Sequence, residues 1–318
     1  MDVQDIRAIT ERVRAEVRKA VVGQDEVIEL MLTSLLVGGH ILLEGVPGTA
    51  KTLIVRVLAR LIGVSFRRIQ FTPDLMPADI VGTTVFEPAS GTFAFRRGPI
   101  FTNLVLADEI NRTPPKTQSA LLEAMEERQV TIDGESHPIA APFFVCATQN
   151  PIEFEGTYPL PEAQLDRFLV RARTGYPSEQ QERALIERTV AGFDAHDLAA
   201  AGVVQVASAA EITAAQATVR TVHVEPAVQG YILALAVASR VARDAALGVS
   251  PRGALALLAA AQAAATIDGR AFVTPDDVKD VAPLVLAHRI LLRPEAELEG
   301  GSADALVARL LASVPAPT

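Results

Sequence analysis

The hydrophobic pattern changes character twice along the chain. Residues 5–20 repeat apolar positions at helical spacing (Ile6, Ile9, Val13, Val17), and a second helix is expected to run to about Val37. From His40 to about Arg171, short apolar runs alternate with helical or loop segments. The strand candidates are residues 41–44, 66–71, 104–107, 143–147 and 168–170. Several are apolar throughout, the pattern of a parallel sheet covered on both faces. Beyond Gly175-Tyr-Pro177 helical patterns dominate, as over residues 228–241 and 253–266. Thr274-Pro-Asp-Asp277 reads as a helix start, with a Thr cap and Pro in the first position. Alternating runs at 81–86 and 91–95 predict a β-hairpin, and residues 129–139 predict a second that turns at Asp133-Gly134. Residues 314–318 read as a frayed tail. The expected organisation is an α/β domain over residues 1–176, with an N-terminal helix and two hairpin inserts, followed by a smaller all-α domain over residues 177–318.

The candidate chemistry lies at the ends of the strand candidates. Residues 41–44 feed Gly45-Val46-Pro47-Gly48-Thr49-Ala50-Lys51-Thr52, and an amphipathic helix follows with Leu53, Ile54, Val57, Leu58 and Leu61. Strand, Gly-rich turn, Lys-Thr and helix form the setting of a phosphate-binding loop. Backbone N–H groups and the helix N-terminus cradle phosphate oxygens, Lys51 reaches the β- and γ-phosphates, and the Thr52 hydroxyl ligates Mg²⁺. Ala50 stands where the usual pattern has glycine, and an ordinary turn is the competing reading. Downstream, Asn103-Leu-Val-Leu-Ala-Asp108-Glu109 is an apolar strand ending in two acids. Asp108 suits a Mg²⁺ water shell and Glu109 a general base. An isolated Asp-Glu pair more often just opens a helix, but behind a phosphate loop the catalytic reading prevails. Asn150, in Thr148-Gln-Asn-Pro151, is a candidate to orient water, or else a turn initiator. Arg167, ahead of the last strand candidate, either pairs with a local acid or reaches a neighbouring subunit's nucleotide as an arginine finger.

Composition narrows the partners. A net charge of −9 argues against a nucleic-acid backbone as the main partner. No apolar run has the length of a membrane span, and the first residues lack a signal-like pattern. The single Cys146 falls in a strand-like run and cannot supply a disulfide framework, which makes a reducing cytoplasm the expected location. The five histidines are scattered without ligand spacing, so no metal chemistry beyond Mg²⁺ is expected.

These stretches resemble the AAA+ ATPases, and in wording the MoxR family within them. The resemblance is carried by Val22-Gly-Gln-Asp-Glu-Val27, Gly45–Thr52, Phe71-Thr-Pro-Asp-Leu-Met-Pro77, the run from Leu106 to Met125, Ala147-Thr-Gln-Asn-Pro151, Tyr158 to Phe168, and Ser250-Pro-Arg-Gly-Ala-Leu255. It spans nearly the whole chain, and MoxR-like loops characteristically carry Ala at the position of Ala50. It implies an AAA+ P-loop αβα domain with a central parallel sheet, followed by an all-α lid. It implies ATP and Mg²⁺ held by Gly45–Leu53, with Thr52 and Asp108 at the metal, and Val21, Val22 and Gly23 beside the adenine. By the same resemblance Glu109 activates water, Asn150 is sensor 1, Arg167 is the finger acting in trans, and Arg252 is sensor 2, reaching back to the γ-phosphate. A surface Arg at a helix N-terminus is the plainer alternative for Arg252, though the helix dipole disfavours it. The hairpins resemble the helix-2 insert and the hairpin before sensor 1, which face a central channel or a partner. Phe86, Phe93 and Phe95 would then contact a client, or merely pack, and Arg96 and Arg97 would form a surface or inter-subunit pair. The function implied is a ring-forming ATPase, a hexamer in this family, that remodels protein clients with a von Willebrand factor A-type partner. The alternatives are an ATP-dependent assembly scaffold with incidental hydrolysis, and a magnesium-chelatase-type or nucleic-acid motor subunit.

Overall fold

The computed structural model describes residues 1–46, 48–150 and 156–317. Two helices, α1 (Val3–Ala20) and α2 (Asp25–Val37), precede the first strand. Helix α1 begins in a reciprocal cap: the Asp2 carboxylate accepts from the Asp5 N–H, and the Asp5 carboxylate accepts from the Asp2 N–H, both at 2.9 Å. Then follow β1 (Ile41–Gly45), α3 (Lys51–Leu61), β2 (Phe66–Gln70), α4 (Pro77–Val81), the hairpin β3 (Gly82–Glu87) and β4 (Thr92–Arg97), β5 (Leu104–Asp108) and α5 (Pro115–Glu127). The second hairpin, β6 (Gln129–Ile132) and β7 (Glu135–Pro138), leads to β8 (Phe144–Gln149), α6 (Glu162–Leu165) and β9 (Val170–Thr174).

Five strands form one parallel sheet in the order β2-β5-β8-β1-β9. Alternate residues of its inner strands point to opposite faces, and both faces are buried. Ile41, Leu43, Leu104, Leu106, Phe144 and Cys146 join one apolar cluster, while Leu42, Val105, Ala107, Val145 and Ala147 join another with Leu121, Leu122 and Met125 of α5. Doubly covered strands can be apolar at every position, which is why these runs were readable.

The last strand lies later than expected. Residues 168–170 were the candidate, but the Phe168 N–H donates to Leu165 O in a turn, and pairing with β1 begins at Val170. Strand β9 is an edge strand bonded only to β1 and carries Arg171 and Arg173 between buried positions. The polar residues of an edge strand broke the apolar run that marked the inner strands.

The C-terminal part comprises α7 (Glu179–Val190), α8 (Ala209–Val219), α9 (Pro226–Val241), β10 (Ala245–Leu247), α10 (Pro251–Ile267), α11 (Pro275–Leu286), β11 (Leu291–Leu292), α12 (Pro294–Leu298) and α13 (Ala303–Ser313). It is helical apart from the short antiparallel pair β10–β11, whose strands are too brief to show a period, and an isolated bridge between His223 and Phe272. Thr274 caps α11 as expected, its hydroxyl accepting from the Asp277 N–H. The Ala-rich α10 packs against α1, α2, α9 and α11, and Leu257, Ala260 and Ala261 share one apolar cluster with Val13, Met31 and Val285. Small side chains on α10 let these helices approach closely.

Candidate active site

Sheet order decides what meets what. The phosphate-loop candidate follows β1, the two acids end β5, and Thr148 and Gln149 end β8, which lies between them. All three strands are parallel, so their carboxyl ends open on one edge, where α/β folds bind ligands. A cavity of about 490 Å³ there is lined by Gly45, Gly48, Thr49, Ala50, Lys51, Thr52, Leu53, Asp108, Glu109 and Asn150, together with Arg56, Arg68, Thr148, Gln149, Ala195 and His196. A second hollow of about 250 Å³ shares Gly48, Thr49, Ala50 and Leu53 and continues along Val21, Val22, Leu185 and Phe193. One end is polar and the other apolar, as a nucleotide's phosphates and base require.

The loop is built by its backbone. Gly45 pairs with Thr174 of β9 so tightly that a Cβ would lie 2.2 Å from the Thr174 carbonyl oxygen. Gly48 has φ +83°, and a Cβ there would meet nothing within 4 Å, so the loop is open toward the cavity. Ala50 caps α3 in the left-handed region at φ 59°. That conformation costs an L-residue roughly 1 kcal/mol and explains why glycine is usual at this place. Pro47 lies outside the described residues. The Lys51 ammonium donates to Gly45 O at 2.8 Å and Val46 O at 3.1 Å, so it folds back on the loop. Burial lowers its pKa, against the upward pull of Asp108 and Glu109. The oxygen donors Thr52 and Asp108 beside this loop suit a hard cation such as Mg²⁺.

The acids are held by residues that sequence reasoning missed. Thr148 Oγ1 donates to Asp108 Oδ1 at 2.6 Å and accepts from the Glu109 N–H at 2.9 Å. Arg68 donates to Asp108 Oδ2 through Nη2 at 2.6 Å and Nε at 3.0 Å. Gln70 Nε2 donates to Glu109 Oε2 at 2.8 Å, and Arg112 lies 3.2 Å from the same oxygen. Glu109 itself has φ 58°, a strained value for a residue with a Cβ and one that collects at functional sites. Arg68 and Gln70 are two apart on β2 and so share a face, the one signal that could have marked them. Beneath the loop, buried Glu44 accepts from Gln149 and has Arg171 and Arg173 each 3.6 Å away.

Other predicted residues fall elsewhere. Asn150 is buried and lines the cavity. Val22 lines the apolar hollow, whereas Gly23 turns at φ 70° against Gln181 of α7. Neither Arg167 nor Arg252 is among the described residues lining the cavity. Arg167 Nε lies 3.0 Å from Glu126 Oε2 and Arg252 Nη1 lies 2.9 Å from Glu126 Oε1, so both share one carboxylate at the end of α5. Arg252, expected as sensor 2 reaching back to the γ-phosphate, pairs here with Glu126. Of the hairpin aromatics, Phe95 stacks on His137 at 4.2 Å and meets Phe101 edge-on, while Phe86 and Phe93 form a solvent-facing pair 5.2 Å apart. Arg97 lies over the Phe101 ring at 5.2 Å.

Comparison with known proteins identifies the family. The family model of the ATPase family associated with various cellular activities (AAA) matches residues 40–170, and the AAA lid domain matches residues 237–310. The chain is 45% identical to the uncharacterised protein YeaC of Bacillus subtilis, over 99% of this chain and 97% of that one. It is 44% identical to Chaperone MoxR1 of Mycobacterium tuberculosis, over 96% of this chain and 82% of that one. A crystal structure from Cytophaga hutchinsonii, whose own ATPase assignment is provisional, superposes with a TM-score of 0.91 at 40% identity and covers 99% of this chain and 97% of that one. Among the described residues, no helix is long and apolar enough to cross a membrane. The chain belongs to the MoxR family of AAA+ ATPases.

Proposed function

We propose that this ATPase works as a ring of identical subunits, in which each pocket is completed by a neighbour's Arg167 and Arg252, and that Mg²⁺-dependent turnover drives remodelling or activation of client protein complexes. Residues 1–176 form the nucleotide domain in this reading, and residues 177–318 form the lid. Bound Mg²⁺ would neutralise charge on the terminal phosphates, held through Thr52 and the water shell on Asp108. Lys51 leaves the loop carbonyls for phosphate oxygens. Glu109 accepts the proton of the attacking water once it is released from Gln70 and Arg112, and Asn150 orients that water. The arginines stabilise charge that develops in the transferring phosphoryl group.

One observation carries the reading. The cavity gathers every predicted catalytic group except the two arginines, which are held together on Glu126 away from it. A chaperone-like role follows the name of the Mycobacterium tuberculosis relative. The hexamer, a cytoplasmic location and a von Willebrand factor A-type partner are part of the proposal on family grounds. The test is complementation. Glu109→Gln and Arg167→Ala subunits are each expected to lack turnover alone and to regain it when mixed, because mixed neighbours form some intact sites. Two inactive variants that stay inactive at every mixing ratio would refute action in trans. Client remodelling that persists in the Glu109→Gln protein would instead favour the scaffold reading.

A further inference from the structure

We propose that Arg289 is a positioning residue that locks Arg167 and Arg252 into one unit, so that the strand-edge segment and the lid present both guanidiniums together. The inference rests on the reading that those arginines act on a neighbour's nucleotide.

Arg289 follows α11; its side chain is 2% exposed and does not line the nucleotide cavity. Its five N–H groups are all used. Nε donates to Asp166 Oδ1 at 2.6 Å, Nη2 donates to Asp166 O at 3.1 Å and Phe168 O at 2.6 Å, and Nη1 donates to Leu169 O at 3.0 Å and to Val285 O. Four of these bonds end on residues 166–169, the segment that carries Arg167. A guanidinium buried this way is costly, and apolar packing would stabilise the same junction at least as well. What the fork adds is direction: planar donors fix the segment's carbonyls at set angles.

The same aspartate grips the other arginine's helix. Asp166 Oδ2 accepts from Ser250 Oγ at 2.8 Å, and Ser250 Oγ in turn accepts from the Gly253 N–H at 3.0 Å as the cap of α10. Arg252 lies between those two residues. Gly253 is the point where Arg289 passes: a Cβ there would lie 2.7 Å from Arg289 Cδ. Arg289, Asp166 and Ser250 thus tie the backbones at 167 and 252 to one another, and the two side chains emerge onto the two oxygens of Glu126.

The test uses the full-length chain with Arg289→Lys, which keeps the charge and loses the fork. Turnover is expected to fall 10–100-fold, the usual effect of losing a supporting hydrogen-bond shell. Affinity for a fluorescent ATP analogue is expected to stay within about 2-fold, because the variant's own pocket is intact. Mixing with Glu109→Gln subunits is expected to restore turnover, since those subunits bring a sound Arg167–Arg252 pair to the Arg289→Lys pockets. Nucleotide affinity that falls in step with turnover, or a mixture that stays inactive, overturns the proposal. The Glu109→Gln and Arg167→Ala mixture is run in parallel. If that mixture also fails, the trans reading itself is wrong; if it alone succeeds, only the role of Arg289 is wrong. Should Arg289→Lys not fold, Ser250→Ala decides: lower turnover at unchanged nucleotide affinity supports the lock, and unchanged turnover overturns it.

Discussion

Thr148→Val isolates the residue that holds both acids. Valine has the shape of threonine, so no cavity opens, but both hydroxyl hydrogen bonds disappear. One is the 2.6 Å bond to the Asp108 carboxylate, and a bond to a charged group contributes about 1.5–3 kcal/mol. The other is the 2.9 Å bond from the Glu109 N–H, whose loss in a half-buried site costs about 1 kcal/mol. Together these predict about 3 kcal/mol less stability, measurable by urea denaturation, in a domain that still folds. The functional effect is separate. Without Thr148, Asp108 is oriented only from the Arg68 side and the turn at Glu109 loses its tether, so kcat is expected to fall 10–100-fold, about 1.4–2.7 kcal/mol in the barrier. Thr148→Ser keeps the hydroxyl and is expected to retain kcat within a few-fold while losing about 1 kcal/mol for its buried methyl. A Thr148→Val enzyme with nearly normal kcat would refute the reasoning, because it would mean that the acids are set by other contacts.

Two further predictions concern His40 and Gly45. His40 accepts from the Val145 N–H and donates to Met125 O, both at 3.1 Å, and burial lowers its pKa to about 4 against an unfolded value near 6.5. The unfolded chain therefore binds a proton first, so the contribution is intact above pH 6.5 and is lost as pH falls toward 4. About 2–3 kcal/mol should be gone by pH 4.5. His40→Gln should be weaker at pH 7 but show a shallower loss with acid in denaturant titrations; equal slopes for both proteins would contradict the assignment. Gly45→Ala would put a methyl 2.2 Å from the Thr174 carbonyl oxygen and force β1 and β9 apart. A cost of about 3 kcal/mol is expected by urea denaturation, and an unchanged midpoint would show that the edge strand yields freely.

Legibility followed burial and locality. Inner strands of the sheet are covered on both faces and read as apolar runs, and the hairpins were announced by alternation and by Asp133-Gly134, whose φ values of 51° and 84° suit a tight hairpin turn. The phosphate loop and the acids were readable because their chemistry is contiguous in sequence. Strand β9 was misplaced because Phe168 and Leu169 carry its apolar run back into the preceding turn, while Arg171 and Arg173 interrupt it beyond Val170. Thr148, Arg68 and Gln70 were missed for a different reason: their partners lie 39 or 40 residues away, and only the order β2-β5-β8 brings them to Asp108 and Glu109. The same limit applied to Arg252, since its partner Glu126 is 126 residues distant and no local pattern points to it.

The misfit of Arg252 with its helix was nonetheless a usable clue. An arginine in the first turn of α10 meets the positive end of the helix dipole, which is mildly unfavourable. Glu126 offsets that repulsion, but it also serves Arg167, so two guanidiniums and a helix N-terminus converge on a single carboxylate. Among the described ion pairs there, two guanidiniums share one carboxylate, one positive charge more than it neutralises. Purely structural ion pairs tend toward neutrality, because an uncompensated charge in a partly buried place raises the cost of folding. A locus left positive and partly open, with Arg167 and Arg252 29% and 43% exposed, is better suited to receive an anion than to hold the fold. In the proposed ring the γ-phosphate of an adjoining subunit would meet that requirement, and Glu126 would keep both arginines in place until the neighbour arrives.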